Sequence, residues 1–354
     1  MAAGVLGNRK KVIMTKVSIQ IVTWNSKRYI AECLDALAQQ TFTDFSVMVI
    51  DNGSGDGTVK LVRSEYPTVA VLENFRNLGF SKANNQGIKL SKSEYVLVMN
   101  PDVVLEPDFL EQLVACADSH PEAASFGGKV LKLGTQAIDH DDESGLRESV
   151  KSEIIDTAGL VLYKSRRAMN RGENEKDQKQ YDRAVEVFGI SGACVLYRRT
   201  LLNEVVVKNE YFDEDFFAYK EDVDLAWRLQ LYGFTAWYTP QAVCYHHRGY
   251  GLTGSEPRQV ARHRKAVSKL LRSLSFRNHH LTLIKNDQLA NVLVALPWLI
   301  LWELKILGYA LLFERFQWKS IGSFFRLLPK MFLKRSVIMA HRKRTTVEMR
   351  KWIV

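Results

Sequence analysis

Tyr95-Val96-Leu97-Val98-Met99-Asn100-Pro101-Asp102 is the stretch on which the fold turns. Five apolar residues in a row are too few for a buried helix and match a strand buried on both faces. The run stops at Asn100-Pro101-Asp102, where proline can donate no further ladder hydrogen bond. A central strand therefore delivers one carboxylate, Asp102, from its carboxyl end. In open α/β sheets ligands bind outside that edge.

Towards the N-terminus the same grammar repeats. Val17 to Val22 reads as a strand ending at Thr23-Trp24-Asn25-Ser26, a helix-start signal, after which Ile30, Cys33, Leu34 and Leu37 share a helical face. Phe45 to Ile50 is a second buried strand, and it ends in the glycine-rich loop Asp51-Asn52-Gly53-Ser54-Gly55-Asp56-Gly57-Thr58. A third strand spans Val69 to Leu72. Asn77-Leu78-Gly79-Phe80-Ser81-Lys82 then opens a helix whose small residues can lie close on a sheet. Strands alternating with helices predict a doubly wound, mostly parallel α/β sheet with a Rossmann-like half. The glycines match neither the dinucleotide fingerprint nor a P-loop, and an EF-hand fails because Val62 stands at its twelfth position.

Beyond Asp102 the pattern changes to a helix from Pro107 to Ser119 and a strand from Ala124 to Leu131. Residues 133–187 are a polar, charge-dense insertion with room for a small hairpin. Val187 to Tyr197 returns to apolar sequence, an aromatic and acidic segment runs from Tyr211 to Tyr232, and Thr235 to Tyr245 is a last strand. This organisation predicts a loose N-terminal arm over 1–15, a catalytic domain over 16–254 and a basic amphipathic helical region over 255–354.

Composition supports a globular chain: 46% hydrophobic, 25% charged, net charge +10. Residues 255–354 hold 20 Lys and Arg against 5 Asp and Glu, so a mildly acidic body carries a strongly basic C-terminal region. The four cysteines form no C-x-x-C pair and read as buried thiols in a reducing compartment, and no secretory signal is visible.

Three further segments hold candidate chemistry. Asp51, at a strand end, can accept hydrogen bonds from a ligand, but taken alone it reads more readily as a turn aspartate in a glycine-rich loop. Glu221-Asp222-Val223-Asp224 puts acids at a helix start, where they also complement the helix dipole. Neighbouring like charges raise one another's pKa, which suits a general base. His246-His247-Arg248-Gly249 follows the last strand.

Taken together, Thr23-Trp24-Asn25, Asp51-Asn52-Gly53-Ser54 with Asp56 and Thr58, Asn77-Leu78-Gly79-Phe80 with Asn84-Asn85 and Gly87, Asn100-Pro101-Asp102, and Glu221-Asp222 occur in the order of glycosyltransferase family 2. Residues 16–250 resemble that family of inverting enzymes with the GT-A fold. The resemblance implies that Thr23, Asn25 and Asp51 bind the nucleoside of a nucleotide-sugar donor, with Asn77, Gly79 and Lys82 near it. Asp102 takes the last position of the family's D-x-D metal motif, whose first acid is Asn100 here. Asp222, beside Glu221, is implied as the base that deprotonates the acceptor. His246 matches a metal-binding histidine of some members, so the expected cofactor is a divalent metal, Mg2+ or Mn2+, on Asp102 and His246.

Asn100-Pro101-Asp102, Asn77 to Phe80, and Asp156-Thr157-Ala158-Gly159 followed by Arg171-Gly172 look like the rhamnosyltransferase branch. That branch implies dTDP-L-rhamnose as donor and a lipid-linked, polyprenyl-diphosphate glycan as acceptor, in bacterial surface polysaccharide synthesis. Galactofuranosyl and other transferases share several of these motifs. The substituted Asn100 also admits a catalytically dead sugar-nucleotide-binding scaffold.

Leu289 to Phe313 is almost wholly apolar, but Pro297, Glu303 and Lys305 interrupt it. From Phe316 to Arg335, aromatics and leucines interleave with Lys319, Arg326, Lys330, Lys334 and Arg335. This pattern predicts interfacial helices on an anionic membrane surface, at the cytoplasmic face of the inner membrane, and argues against nucleic acid as partner.

Overall fold

The computed structural model describes residues 15–137, 147–247 and 268–354. Residues 1–14 of the expected arm, 138–146 of the insertion, and Arg248-Gly249 lie outside the described residues.

The N-terminal half alternates as its sequence predicts. Strand β1 (Val17–Thr23) leads into α1 (Lys27–Ala38), β2 (Phe45–Asp51) into α2 (Thr58–Glu65), and β3 (Ala70–Glu73) into α3 (Phe80–Leu90), before β4 (Tyr95–Met99). These four strands pair in parallel in the order β3-β2-β1-β4. All five residues of β4 are 0% exposed, so the strand is covered on both faces, as its unbroken apolar run requires. Burying each such large side chain contributes roughly 1.5–3 kcal/mol. The buried face of α3 carries Ser81, Ala83, Asn84, Asn85 and Gly87, short residues that let the helix lie against β1 and β2. Because β1 and β2 run in register, Thr23 and Asp51 stand opposite each other at one carboxyl edge.

After β5 (Val103–Leu105) and α4 (Phe109–Ser119), the sheet becomes mixed. β6 (Ala123–Ala137) and β11 (Cys194–Arg198) are antiparallel to each other, β11 is antiparallel to β4, and β12 (Thr235–His247) runs parallel to β6. The 133–187 insertion contains β7 (Arg147–Thr157) antiparallel to β6, a small β8–β9 hairpin (Leu160–Leu162, Ala168–Asn170), and β10 (Val185–Val187) on the edge of β12. Helices α5 (Arg199–Glu204) and α6 (Glu221–Leu231) complete this half.

The C-terminal region is helical: α7 (Lys269–Asn286), α8 (Leu289–Phe313), α9 (Trp318–His341) and α10 (Thr346–Arg350). It packs on the body, with Ile338 and Met349 in the main core and Ile353 paired to Leu162 in an isolated parallel bridge. Part of its positive charge is neutralised internally. Lys334, read from the sequence as a membrane-facing cation, is buried and sits 2.6 Å from Asp213, 2.9 Å from Asp215 and 2.9 Å from Glu210. Lys285 reaches Asp213 at 2.5 Å and Asp224 at 2.8 Å. Buried charges persist only when paired, and here the basic helices supply counter-ions to an acidic body.

Helix α8 runs continuously through Pro297. Among the described residues, its Leu289–Ala310 segment is long and apolar enough to cross a membrane by length and composition, and 17% of it is buried. Glu303, an acid within this apolar helix, is held by His280 Nε2 at 2.8 Å.

Candidate functional site

At the ends of β1 and β2 a hydrogen-bonded cluster surrounds Asp51, which is almost fully buried. Thr23 Oγ1 donates to its Oδ1 at 2.8 Å, and Ser54 donates through Oγ to Oδ1 at 2.6 Å and through its backbone N–H to Oδ2 at 2.8 Å. Asn25 has φ of 53°, and its Oδ1 accepts from the Gly55 N–H at 2.9 Å. Asp56 accepts from the Lys27 and Thr58 N–H groups and the Thr58 hydroxyl. Desolvation opposes its ionisation, yet these donors hold its pKa below the ordinary value.

Asn77 Oδ1 accepts from the Gly79 N–H at 2.8 Å at the mouth of α3. Gly79 has φ of +85°, and a Cβ there would lie 2.5 Å from the carbonyl oxygen of Phe217. Only glycine satisfies both constraints. Lys82, in the first turn of α3, lies 3.5 Å from Glu214 and is half exposed.

A cavity of about 560 Å³ brings together Asn100, Asp102, Glu221, Asp222 and His246. Thr23, Asn25, Asp51, Asn77, Gly79 and Lys82 are not on its wall; the first three belong to the strand-end cluster and the last three to the start of α3. Within the cavity, His246 Nε2 lies 3.3 Å from Asp102 Oδ1, and Nδ1 lies 2.9 Å from Asp156 Oδ2. Burial alone would depress the imidazole, but the two carboxylates overcome it and raise its pKa to about 9. Asp156 was legible only as part of a branch motif; its place behind the imidazole comes from β7 pairing with β6, which also pairs with β12.

The donor set suits a hard or borderline cation. One carboxylate oxygen and one imidazole nitrogen converge, the nitrogen becoming a ligand when an ion displaces its proton, and Asp156 holds the ring from behind through Nδ1. Among the described residues no group of three His, Cys, Asp or Glu could hold an ion. Asp102 and His246 could therefore hold Mg2+ or Mn2+ only with further oxygen donors from a bound diphosphate or water.

Asp222 opens α6. Its Oδ2 accepts from the Gly192 N–H at 3.0 Å and its Oδ1 from the Val223 N–H at 2.8 Å. A Cβ on Gly192 would sit 3.1 Å from the Cβ of Asp222, so the contact depends on a residue without a side chain. Burial, reinforced by the charge of Asp222, pushes Glu221 up to about 8. Glu221 is thus protonated at neutral pH and is no proton acceptor there.

The chain entering α6 is strained: Phe217, Tyr219 and Lys220 have φ of 67°, 71° and 70°. Such backbone costs on the order of 1–3 kcal/mol per residue and persists only where its surroundings impose it. Asn278 of α7 does so. Its Nδ2 lies 2.9 Å from the carbonyls of Phe216 and Ala218 and 2.8 Å from that of Tyr219. Sequence reasoning missed Asn278; the available signal was a polar residue on the same helical face as Leu274 and Leu281, both buried.

With this geometry in view, comparison with known proteins is specific. The description "Glycosyl transferase family 2" matches residues 18–206, and "Glycosyl transferase family group 2" matches residues 161–329. An N-acetylglucosaminyl-diphospho-decaprenol L-rhamnosyltransferase of Mycobacterium tuberculosis is 29% identical over 263 residues, covering 70% of this chain and 80% of that protein. Among solved structures, S. aureus TarS residues 1–349 in complex with UDP superimposes with a TM-score of 0.53 at 19% identity, over 95% of this chain and 91% of that one. The mannosyltransferase PcManGT from Pyrobaculum calidifontis, with GDP-Man and Mn2+, gives 0.50 at 16% identity, over 93% and 86%. At these identities the two structures establish the fold, which is GT-A.

Proposed function

Because the chain belongs to glycosyl transferase family 2, and is therefore a glycosyltransferase, we propose that it transfers L-rhamnose from dTDP-L-rhamnose to a polyprenyl-diphosphate-linked glycan, with inversion. The observation that carries the donor and acceptor is the 29% identity, over 70% of the chain, to a rhamnosyltransferase named for a lipid-diphosphate acceptor.

In this reading Thr23, Asn25 and Asp51 receive the nucleoside, with Asn77, Gly79, Lys82 and Asn100 shaping the approach of the donor. A divalent ion held by Asp102 and His246 would supply positive charge to the leaving nucleotide diphosphate. Asp156 keeps His246 turned towards Asp102. Asp222 accepts the proton of the acceptor hydroxyl as that oxygen bonds to the anomeric carbon, and the bond from that carbon to the diphosphate breaks. The Gly192 and Val223 N–H groups fix the carboxylate's orientation.

The exposed apolar surface of α8, with Leu293, Trp298, Leu301 and Leu304, together with Trp318, Phe325 and Phe332, supports a peripheral seat on the cytoplasmic face of the inner membrane. The lipid-linked acceptor is presented there.

The test offers the purified protein a panel of nucleotide sugars with a GlcNAc-diphosphoprenyl acceptor. Release of dTDP from dTDP-rhamnose that depends on the acceptor supports the reading. Turnover of another donor reassigns the sugar, and binding of a donor without turnover favours a scaffold built around the substituted Asn100.

A further inference from the structure

Lys220, on the cavity wall, and Arg167, next in sequence to the wall residue Ala168, differ from the buried cations elsewhere. Arg166 Nε lies 2.7 Å from Asp287, Lys285 2.5 Å from Asp213 and Lys334 2.6 Å from Asp213, each a neutralised pair. Lys220 and Arg167 are half-buried and have no carboxylate at ion-pair distance among the described residues. Lys220 Nζ donates to the carbonyl of Ala168 at 3.3 Å, and the Arg167 guanidinium stacks 4.4 Å from the ring centre of Trp302. Burial lowers the basicity of both, and the charge of Arg167 acts on Lys220 in the same direction, against the attraction of Asp222. Glu173, on the same wall, is in electrostatic reach of both. Two neighbouring cations, one on the cavity wall and one beside it, with no carboxylate at ion-pair distance among the described residues, are costly unless an anion joins them.

Their placement indicates which anion. Lys220 stands two residues before Asp222, and Arg167 directly precedes Ala168-Met169-Asn170 on the cavity wall. Trp302, under Arg167, belongs to the exposed apolar helix α8, and Trp298 one turn earlier faces Lys164 at 5.5 Å. From Asp222 outward the order is carboxylate, cation pair, apolar helix. A lipid-linked sugar has the matching order of hydroxyl, diphosphate and hydrocarbon chain. Resting on the lipid-linked acceptor proposed above, we propose that Lys220 and Arg167 form the subsite for the acceptor's diphosphate, distinct from the place of the donor's diphosphate.

The test is a binding measurement that needs no turnover. Full-length protein is titrated with farnesyl diphosphate, farnesol and dTDP, for wild type, Lys220→Gln, Arg167→Gln and the charge-retaining Arg167→Lys. Both glutamine variants should bind farnesyl diphosphate about tenfold or more weakly, as expected for loss of a charged hydrogen bond. Arg167→Lys should recover part of that loss, and dTDP affinity should not change. Equal loss for dTDP would assign the cations to the donor, and unchanged farnesyl diphosphate affinity, or none in the wild type, would remove the subsite. Transfer to the GlcNAc-diphosphoprenyl acceptor is followed separately. Its absence in the wild type would overturn the functional reading while leaving the binding result to decide the subsite.

Discussion

Asn278 Nδ2 lies 2.8 Å from the carbonyl oxygen of Tyr219, across a separation of 59 residues. The same amide meets the carbonyls of Phe216 and Ala218, so one side chain from α7 closes the strained turn that delivers Glu221 and Asp222. The C-terminal helical region, which presents apolar surface on α8 and α9, thus also braces the cavity through α7.

Replacing Asn278 by Ala leaves the carbonyls of Ala218 and Tyr219 short of a donor, while that of Phe216 keeps the Ala218 N–H and Arg277. Each buried, unsatisfied group costs about 1–3 kcal/mol, so the melting temperature should fall. The turn should also relax, lowering kcat more than the KM for donor, while Asn278→Asp, which keeps the shape without the donor N–H, should not rescue. A variant with wild-type kcat would show that the brace has no bearing on Asp222.

Asp156→Asn should weaken activation of transfer by Mn2+ about 10–100-fold, the usual effect of losing a carboxylate that holds a ligating imidazole in place. The measurement is the Mn2+ concentration at half-maximal rate. An unchanged value would mean that His246 is not a ligand.

Glu221 has a pKa of about 8 in the folded chain against an ordinary 4.5. A raised pKa means that the folded state holds the proton more tightly. The associated stability is fully present below pH 4.5 and is lost as pH rises through 8, by at most ~1.4 kcal/mol per pH unit. The urea midpoint of wild type should therefore fall between pH 5 and pH 8.5 relative to that of Glu221→Gln. Parallel profiles would contradict the raised pKa.

Lys334→Met removes the cation shared by Glu210, Asp213 and Asp215. Breaking a buried network from one side costs about 3–5 kcal/mol, so this single change in the basic region should destabilise the whole fold. A loss of vesicle binding at unchanged melting temperature would instead restore Lys334 to the membrane face.

What was legible in the sequence follows from range. Strands β1 to β4 are short apolar runs punctuated by turn residues, and Asp51, Asp102 and Asp222 stand at element ends where local signals are strongest. His246 could be placed with Asp102 only through the family resemblance. Asp156 behind it could not, since its position depends on how β7 registers on β6. Lys334 read as a membrane-facing cation, and Asn278 was missed, because their partners lie between 59 and 124 residues away. The basic count of the C-terminal region likewise signals attraction to anions without saying that many of those anions are the chain's own.

The most direct test of the account is Asp222→Asn, assayed for rhamnosyl transfer from dTDP-rhamnose to a GlcNAc-diphosphoprenyl acceptor alongside titration of dTDP binding. The account predicts a loss of transfer by about 10²–10⁴-fold, the range for removal of a general base, with dTDP affinity unchanged. Transfer at the wild-type rate would contradict it.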